Sequence, residues 1–315
     1  MRGLLVVNPR ATTTSPRVVD VIVHAFSADI DLDVTVTTHR GHGFALGERA
    51  RSEGMDVVVT LGGDGVVNEV TNGLLAEGPG PHVPMLATVP GGSANVFARS
   101  LGLPNDAVEA TGQILEALRE GRSRRIGVGR ANDHWFVANA GLGLDAEIIA
   151  AMEQHRARGR AATPLRYVTT TLNAYFRGTD RRHPALTLTR PWPVPDGQAG
   201  EVVDHAFVAF VQNTAPWTYL GSLPVNPCPD ASFDTGLDVF SLRRLQVPAA
   251  LAAAGRLLRG RGTWDARGAM VTWHDQSGFL VEASRPVALQ IDGEGQGDVM
   301  RVVFTAHADG LTVVA

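Results

Sequence analysis

The sequence predicts a mixed α/β first half followed by a β-rich second half. Up to about residue 130, apolar β-branched segments alternate with segments of helical periodicity, as in a doubly wound, Rossmann-like parallel sheet. Beyond His183, short strand-like segments separated by Pro and Gly dominate, as in a β-sandwich-like domain. We therefore expect a first domain of residues 1–128 and a second of residues 129–315, with the last strands able to pack back toward the first domain.

The elements of the first half are predicted to alternate along the chain. The predicted strands are Gly3–Val7, Leu32–Thr37, Asp56–Leu61 and Met85–Val89, and the predicted helices are Pro16–Ala28, Phe44–Ser52, Val66–Ala76, Ala94–Leu101 and Asn105–Glu120. Ligands of such sheets bind at the carboxyl ends of the strands. The residues that follow each strand are therefore the first candidates for function.

The second half is predicted to contain mainly strands. These are Trp135–Asn139, Ala185–Thr189, His205–Val211, Leu237–Leu242, Ala269–Trp273, Phe279–Ala283, Val287–Ile291, Met300–Thr305 and Leu311–Val314. Helical periodicity predicts helices at Asp145–Arg156, Pro164–Phe176 and Pro248–Leu258. We expect the active site in a cleft between the two domains.

Composition excludes several function classes. The chain has no lysine, which rules out a P-loop lysine, the catalytic lysine of protein kinases and Schiff-base chemistry. A net charge of −4 argues against a nucleic-acid binder. The single cysteine, Cys228, allows no internal disulfide and suits a reducing cytoplasm. No uncharged run approaches the roughly 20 residues that span a bilayer, so we expect a cytoplasmic protein that could still dock on a membrane.

Two glycine clusters follow predicted strands and open predicted helices. They are Gly62-Gly63-Asp64-Gly65 and Gly91-Gly92-Ser93-Ala94-Asn95. Glycine allows a ligand to approach the backbone closely, and the helix start attracts an anion. Each cluster alone could be a plain turn, but two at adjacent strand ends favour a phosphate site. A carboxylate there, Asp64, predicts an intervening Mg²⁺.

A third glycine motif, GLGLDA at Gly141–Ala146, fits the dinucleotide fingerprint but is interpreted differently. It follows a late strand, and no acidic residue lies about 20 positions downstream to hold a ribose. Asp145, at a predicted helix start facing the expected cleft, is a candidate substrate contact. An ordinary carboxylate at a helix N-terminus is the alternative.

The stretch QIDGEG ends an apolar strand with two carboxylates, Asp292 and Glu294. If the strand continues, alternation places both on the same side, where either is a candidate catalytic carboxylate. The alternative is a solvated Asp-Gly hairpin turn.

Together the motifs GGDGVVNEV, PGGSANVFARSLGLP, NAGLGLDAEI and QIDGE, with the opening LLVVNPR, resemble the diacylglycerol kinase catalytic-domain family. This family includes bacterial soluble lipid kinases and sphingosine kinases. The resemblance implies a nucleotide-binding α/β domain, a β-rich lipid-binding domain, and transfer of the γ-phosphate of ATP to a lipid hydroxyl with Mg²⁺.

The resemblance also implies roles for individual residues. Glu294 would be the general base, with Asp64 as the alternative base and as the contact to Mg²⁺. Asp234, in the stretch ASFDTGLD, would belong to a structural Mg²⁺ site. The residues near the nucleotide would be Asn8, Thr37, Gly62, Gly63, Asp64, Gly65, Val66, Val67, Asn68, Gly91, Gly92, Ser93 and Asn95.

Three positions depart from the family pattern. Val66 stands where a threonine is usual, and Val96 stands where the second motif usually has an aspartate. The sequence DTGLD replaces a DDGL-like loop, which weakens the structural-metal assignment. These departures keep a non-catalytic nucleotide- or lipid-binding protein open as an alternative, beside a kinase for a sphingoid base or another lipid.

The expected partner is a lipid at a membrane surface, with no nucleic acid; a homodimer is a further option. Two arginine clusters, 156–166 and 256–267, are candidate contacts to anionic lipid headgroups. A solvated helix face is the alternative interpretation of each cluster.

Overall fold

The computed structural model describes residues 1–12, 14–143, 183–244 and 268–315. The helices predicted at Asp145–Arg156, Pro164–Phe176 and Pro248–Leu258 lie outside the described residues. The chain divides into two compact units, Met1–Val128 with Ala308–Ala315, and Gly129–His307. The predicted α/β first half with parallel strands and the predicted β-rich second half are both confirmed.

The first unit is built on parallel strands in the order β4-β3-β1-β2. Its strands are β1 (Arg2–Val7), β2 (Asp31–Val36), β3 (Val57–Gly62) and β4 (Met85–Pro90). Its helices are α1 (Pro16–Ser27), α2 (His42–Ser52), α3 (Asp64–Leu74), α4 (Val96–Ser100) and α5 (Ala107–Arg119). Val313, near the chain's end, pairs in parallel with Leu86 of β4.

Burial explains why these segments form a sheet with covered faces. Every residue of β3 is buried, as expected of a central parallel strand, whereas β2 at the edge is largely exposed. Helices α1 and α5 pack their apolar stripes on this sheet through Ile22, Phe26 and Ile114, among others. Helix α4 begins two residues later than predicted, because Asn95 adopts a left-handed conformation with φ 49°.

The second unit consists of mostly antiparallel strands in the order β14-β13-β10-β7-β15-β16. Strand β8 pairs with β15 and with β9, and β11 and β12 form a separate two-stranded hairpin. The strands from β6 onward that lie wholly in this unit are β6 (His134–Phe136), β7 (Asn139–Gly143), β8 (Leu186–Arg190), β9 (Glu201–Ala206), β10 (Val208–Gln212), β11 (Thr218–Leu220), β12 (Leu223–Val225), β13 (Leu237–Leu242), β14 (Met270–Gln276) and β15 (Gly278–Ile291).

Two strands, β5 (Arg124–Ala131) and β16 (Glu294–Val313), contribute residues to both units. The sequence pattern predicts no strand over Arg124–Ala131, where the arginines at the start interrupt the apolar run. Four short strands predicted near the C-terminus merge into β15 and β16, whose register shifts absorb the irregular spacing that had separated them.

The core of the second unit contains stacked aromatic rings. The rings of Phe279 and Phe304 lie 4.9 Å apart, and Phe136 meets Phe304 edge to face. Gly129 lies directly under the Phe136 ring, where a Cβ would approach ring carbons within 2.5 Å. The packed aromatic rings thus leave no room for a side chain at Gly129.

Candidate functional site

Four predicted nucleotide contacts lie at one edge of the first unit's sheet. Strands β1, β2, β3 and β4 are parallel and end at Val7, Val36, Gly62 and Pro90. The loops that follow begin with Asn8, Thr37, Gly63 and Gly91, so the fold places all of them at the carboxyl edge of the sheet. This is the edge at which open α/β sheets bind ligands.

The two glycine loops at this edge touch backbone to backbone. The amide of Gly91 donates to the carbonyl of Gly62 over 2.7 Å. A Cβ on Gly92 would lie 2.6 Å from the Cα of Gly63, and one on Gly91 would lie 2.9 Å from the Cα of Gly62. None of these glycines has a positive φ. Close approach of the loops, rather than an unusual backbone conformation, therefore requires glycine here.

Asp64, the first residue of α3, ties the two loops together. Its carboxylate accepts hydrogen bonds from the amides of Val96 at 3.1 Å and Phe97 at 3.0 Å, at the start of α4. The side chain is half-buried. Asp64 thus fixes the second glycine loop against the first, which is a structural role that its sequence position did not reveal.

Asn95 braces the second glycine loop from within. Its side-chain oxygen accepts from the amide of Gly92 at 2.8 Å, and its amide nitrogen donates to the carbonyl of Gly92 and to Asn105. The side chain is buried. The contacts of Asn95 are thus within the loop, and it shapes the turn that precedes α4.

Ser93, by contrast, is exposed on the same loop. Its hydroxyl lies 3.3 Å from that of Thr12, which is also exposed. Thr12 belongs to the loop after β1, so two hydroxyls from different loops meet beside the glycines. Sequence reasoning missed Thr12, although the run ATTTS after the first strand was a visible signal.

The side chain of Val66 is buried over Gly62. A Cβ at Gly62 would lie 2.6 Å from the Cγ1 of Val66. Val96 is likewise buried, and so is Val67. The positions that depart from the family pattern are thus filled by apolar contacts beneath the loops. Asn68, also buried, accepts hydrogen bonds from Asn72 one turn along α3.

The loops after β1 and β2 are held by their own hydrogen bonds. The side-chain oxygen of Asn8 accepts from the amide of Arg10, and the amide of Thr37 donates to the carbonyl of Val7. Farther along, both carboxylate oxygens of Glu69 accept from amides at the start of α2, those of Gly41 and Gly43. Helix α3 therefore positions this loop as well as the glycine loops.

In the second unit, Asp292 and Gly293 form a two-residue turn between β15 and β16. Their φ angles of 46° and 80° match the paired positive values of a type I′ hairpin turn. The strand does not continue through Asp292, so the alternation that placed Asp292 and Glu294 on one side does not apply. Instead Glu294 lies opposite Ile291 and is half-buried.

Asp292 is buried rather than solvated, contrary to the simple picture of a surface turn. Its carboxylate accepts three backbone hydrogen bonds of 2.9–3.0 Å, from Val137, Ala138 and Asn139. Several donors to one carboxylate satisfy a buried charge. Asp292 therefore anchors the turn that carries Glu294 to the start of β7.

A chain of buried amides extends this anchor. Gln290 accepts from the amide of Gly293 at 2.9 Å and donates to Asn139 at 3.2 Å. Asn139 in turn donates to the carbonyl of Trp217 at 2.9 Å. Gln290 and Asn139 are both buried, so the position of the Glu294 turn is fixed by several satisfied polar groups. Their separation in sequence left no local signal of this network.

Asp234, the predicted structural-metal residue, is exposed in the loop before β13. Within the described parts of the chain, no three His, Cys, Asp or Glu side chains are grouped so that they could hold a metal ion. The structural-metal role of Asp234 stays a prediction.

The neighbouring Asp238 forms an ion pair instead. Its carboxylate lies 2.8 Å from Nδ1 of His274 and accepts from the amide of Asp275. The hydrogen bond to Asp238 raises the pKa of His274. Burial raises the pKa of Asp238, and the hydrogen bond from His274 opposes that rise.

Other predicted contacts fall outside what the structure describes. Asp145 and the arginines of both predicted clusters lie in residues 144–182 and 245–267, outside the described residues. No helix among the described residues is long and apolar enough to cross a membrane. A surface recess of about 560 Å³ lies near the opposite ends of the same strands, beside Asp56 and Met85, away from the glycine loops.

Comparison with solved structures identifies the class of fold. A crystal structure of a diacylglycerol kinase from Bacillus anthracis str. Sterne superposes with a TM-score of 0.70 over 99% of this chain and 96% of that chain, at 20% sequence identity. At that identity the likeness establishes the fold alone.

The sequence matches a family over its first part. Residues 2–131 match the family described as diacylglycerol kinase catalytic domain, which is the family that the motifs predicted. Diacylglycerol kinases of Staphylococcus aureus strains JH9 and Newman are each 33% identical over 118 residues, which is 38% of this chain and 35% of theirs. The matched segment thus spans about a third of the length of these relatives.

Proposed function

We propose that the chain is an ATP-dependent lipid kinase, which transfers the γ-phosphate of ATP to a hydroxyl of diacylglycerol or a related lipid. The observation that carries this proposal is the pair of touching glycine loops within the segment that matches the diacylglycerol kinase catalytic domain. A phosphate-binding role would explain why four glycines of the described residues face each other at the edge where open α/β sheets bind ligands.

The glycine loops would hold the phosphates of ATP. Helix α3 begins at Asp64 without a side-chain cap, so its first amides and its dipole favour an anion at this place. Ser93 and Thr12 would add hydroxyl donors beside the loops.

Asp64 fits a cation that travels with ATP. Carboxylate oxygens can each accept several bonds, so the two backbone contacts of Asp64 are compatible with a cation there. Kinases hold Mg²⁺ by one or two carboxylates plus the substrate's phosphates, rather than by a protein cage. When bound, Mg²⁺ would shield the phosphates and spread the charge that develops during transfer.

Glu294 would accept the proton of the lipid hydroxyl at its carboxylate. The half-buried position of Glu294 suits a general base better than that of Asp292, whose oxygens serve three backbone amides. Asp292 would thus position Glu294 rather than touch the lipid. Asp64 remains the alternative base.

Replacing Glu294 tests this assignment. We expect Glu294→Gln to abolish turnover, because the amide cannot accept the proton, while ATP affinity stays within a few fold. The measurement is lipid phosphorylation with radiolabelled ATP, together with ATP binding by calorimetry. Glu282→Gln, an exposed position on the same hairpin, serves as the matched control and should retain activity. Lipid kinase activity retained by Glu294→Gln would refute the assignment.

The acceptor lipid is tested with a panel. ATP consumption with Mg²⁺ would be measured with diacylglycerol, sphingosine and an undecaprenol-type lipid, and the phosphorylated product identified by mass spectrometry. Product from diacylglycerol supports the first choice. Product from sphingosine alone would favour a sphingoid-base kinase of the same family.

A non-catalytic binding protein is the second candidate function. The buried Val66 and Val96 favour it, because they stand where the family pattern usually has a threonine and an aspartate. The same panel discriminates the two candidates. Saturable ATP binding with no product from any lipid would support the binding protein.

A further inference from the structure

The hairpin of β11 and β12 stands apart from the main antiparallel sheet of the second unit. It spans Thr218–Val225 and pairs with no other described strand. Gly221, with φ 67°, is the first central residue of its two-residue turn, as a type II′ turn requires. An isolated hairpin of three-residue strands is marginally stable in water and needs support from elsewhere.

The support comes from the base of the hairpin. Trp217 is buried, and its ring meets Phe210 edge to face at 4.7 Å. The amide of Trp217 donates to the carbonyl of Val225, which closes the hairpin. The carbonyl of Trp217 accepts from Asn139. The base is therefore rigidly attached while the tip remains outside the core.

The tip of the hairpin is apolar and uncharged. Leu223 is 46% exposed, and Pro224 beside it is exposed as well. Residues 205–229, which include the hairpin and both flanks, contain no Asp, Glu, Lys or Arg. In a chain with 19% charged residues, a stretch of this length would ordinarily carry about five charges. An exposed apolar tip on an uncharged segment is suited to an apolar partner.

We infer that the tip of the β11–β12 hairpin inserts into the interfacial layer of a lipid bilayer and docks the protein at its membrane. This inference rests on the proposed function, whose acceptor lipid resides in a bilayer. Leu223 and Pro224, exposed beside the turn on a segment without charged residues, suit the apolar side of a membrane surface. The eight residues of the hairpin are too few for a stable dimer interface, which takes about 20–30 residues a side.

The docked hairpin would also be connected to the predicted base. Trp217 is linked through Asn139 and Gln290 to Gly293, the residue before Glu294. The hairpin is thus joined by three hydrogen bonds, two of them buried, to the turn that carries Glu294. Such a connection would hold the catalytic turn at a fixed place relative to the lipid surface.

Vesicle binding by the full chain tests this inference. The probe is phosphatidylcholine vesicles containing diacylglycerol, and the readouts are co-sedimentation and kinase activity on those vesicles. We expect Leu223→Asp to weaken vesicle binding about tenfold or more, because a charged side chain would replace the leucine that inserts into the bilayer. Activity on a short-chain diacylglycerol dissolved in water should stay unchanged. Val202→Asp, at a 57% exposed position on β9, is the matched control and should bind vesicles normally.

A second variant is needed because Leu223→Asp could lose vesicle binding simply by misfolding of the hairpin. Leu223→Trp keeps an apolar residue and should strengthen binding several fold, because tryptophan prefers the bilayer interface. Equal binding by wild type, Leu223→Asp and Leu223→Trp would overturn the inference. So would a Leu223→Asp protein that binds vesicles normally but changes from dimer to monomer in analytical ultracentrifugation.

The failures of the two proposals can be told apart. If no lipid is phosphorylated but vesicle binding depends on Leu223, the docking surface stands and the kinase proposal falls. If lipids are phosphorylated on vesicles equally by all three proteins, the kinase proposal stands and the docking surface falls.

Discussion

Asp64 in the first unit and Asp292 in the second perform the same physical task in different settings. Each follows an apolar strand, is flanked by glycine, and accepts backbone hydrogen bonds from a distant segment. Asp64 is half-buried and accepts two such bonds, whereas Asp292 is buried and accepts three. An Asp-Gly motif near a strand end can therefore serve to anchor another segment of the chain, whether or not it also contacts a ligand.

The glycines of the two regions differ in the reason for their presence. In the first unit they permit two loops to touch, and their φ angles are ordinary. In the second unit Gly293 has open space around it and is required only by its φ of 80°. Glycine is thus required in the first unit because two loops approach closely, and in the second unit because the backbone has a positive φ.

Replacing Asp292 gives the largest expected effect. Asp292→Ala leaves three buried amides without an acceptor, so it should lower the free energy of unfolding by about 3 kcal/mol or more. Asp309→Ala is the matched control, because Asp309 is exposed and has a similar φ of 52°. It should cost only about 1–2 kcal/mol from the backbone conformation. Equal losses in urea denaturation would show that the anchoring bonds contribute little.

Replacing a glycine of the two glycine loops gives an intermediate effect. Gly92→Ala places a Cβ against the Cα of Gly63, and the overpacking should cost about 1–3 kcal/mol and weaken ATP binding. Gly112→Ala, in the middle of α5 with no atom near its Cβ, should instead stabilise by up to about 1 kcal/mol. Calorimetric unfolding and ATP titration measure both. Unchanged stability and ATP affinity in Gly92→Ala would mean that the loops separate freely.

The smallest expected effect concerns His274, whose imidazole pairs with the carboxylate of Asp238. Because the pKa of His274 is raised by Asp238, protonated His274 stabilises the fold fully below its unfolded pKa of about 6.5. That stabilisation is lost as pH rises through the folded pKa. The stability gap between wild type and His274→Gln should therefore be widest near pH 5–6 and close at higher pH.

Urea midpoints between pH 5 and 9 measure this gap. His134→Gln, at an exposed position on β6, serves as the control for the loss of an imidazole. A gap that stays constant with pH would remove the ion pair as its cause.

Much of the first unit could be predicted from its sequence, because β1, β3 and β4 are apolar runs and helices α1 and α5 have capping residues. Ser15 caps α1 and Asp106 caps α5 through side-chain hydrogen bonds. The second unit was harder to predict. Strand β9, with its exposed charged residues, and the short strands β11 and β12 carry no periodic signal long enough to recognise. The catalytic role of Glu294 and the substrate role of Asp145 stay predictions.

The sequence by itself determined the alternation of strands and helices in the first unit, the glycines at two strand ends and the match of residues 2–131 to the diacylglycerol kinase catalytic domain family. These features depend on local periodicity and on the spacing of neighbouring residues. Only the tertiary structure decided which amides Asp64 and Asp292 hold, since these partners lie 32 and 155 positions away in the chain. Hydrogen bonds across such separations form only when packing brings two strand ends together, and no local pattern records that meeting.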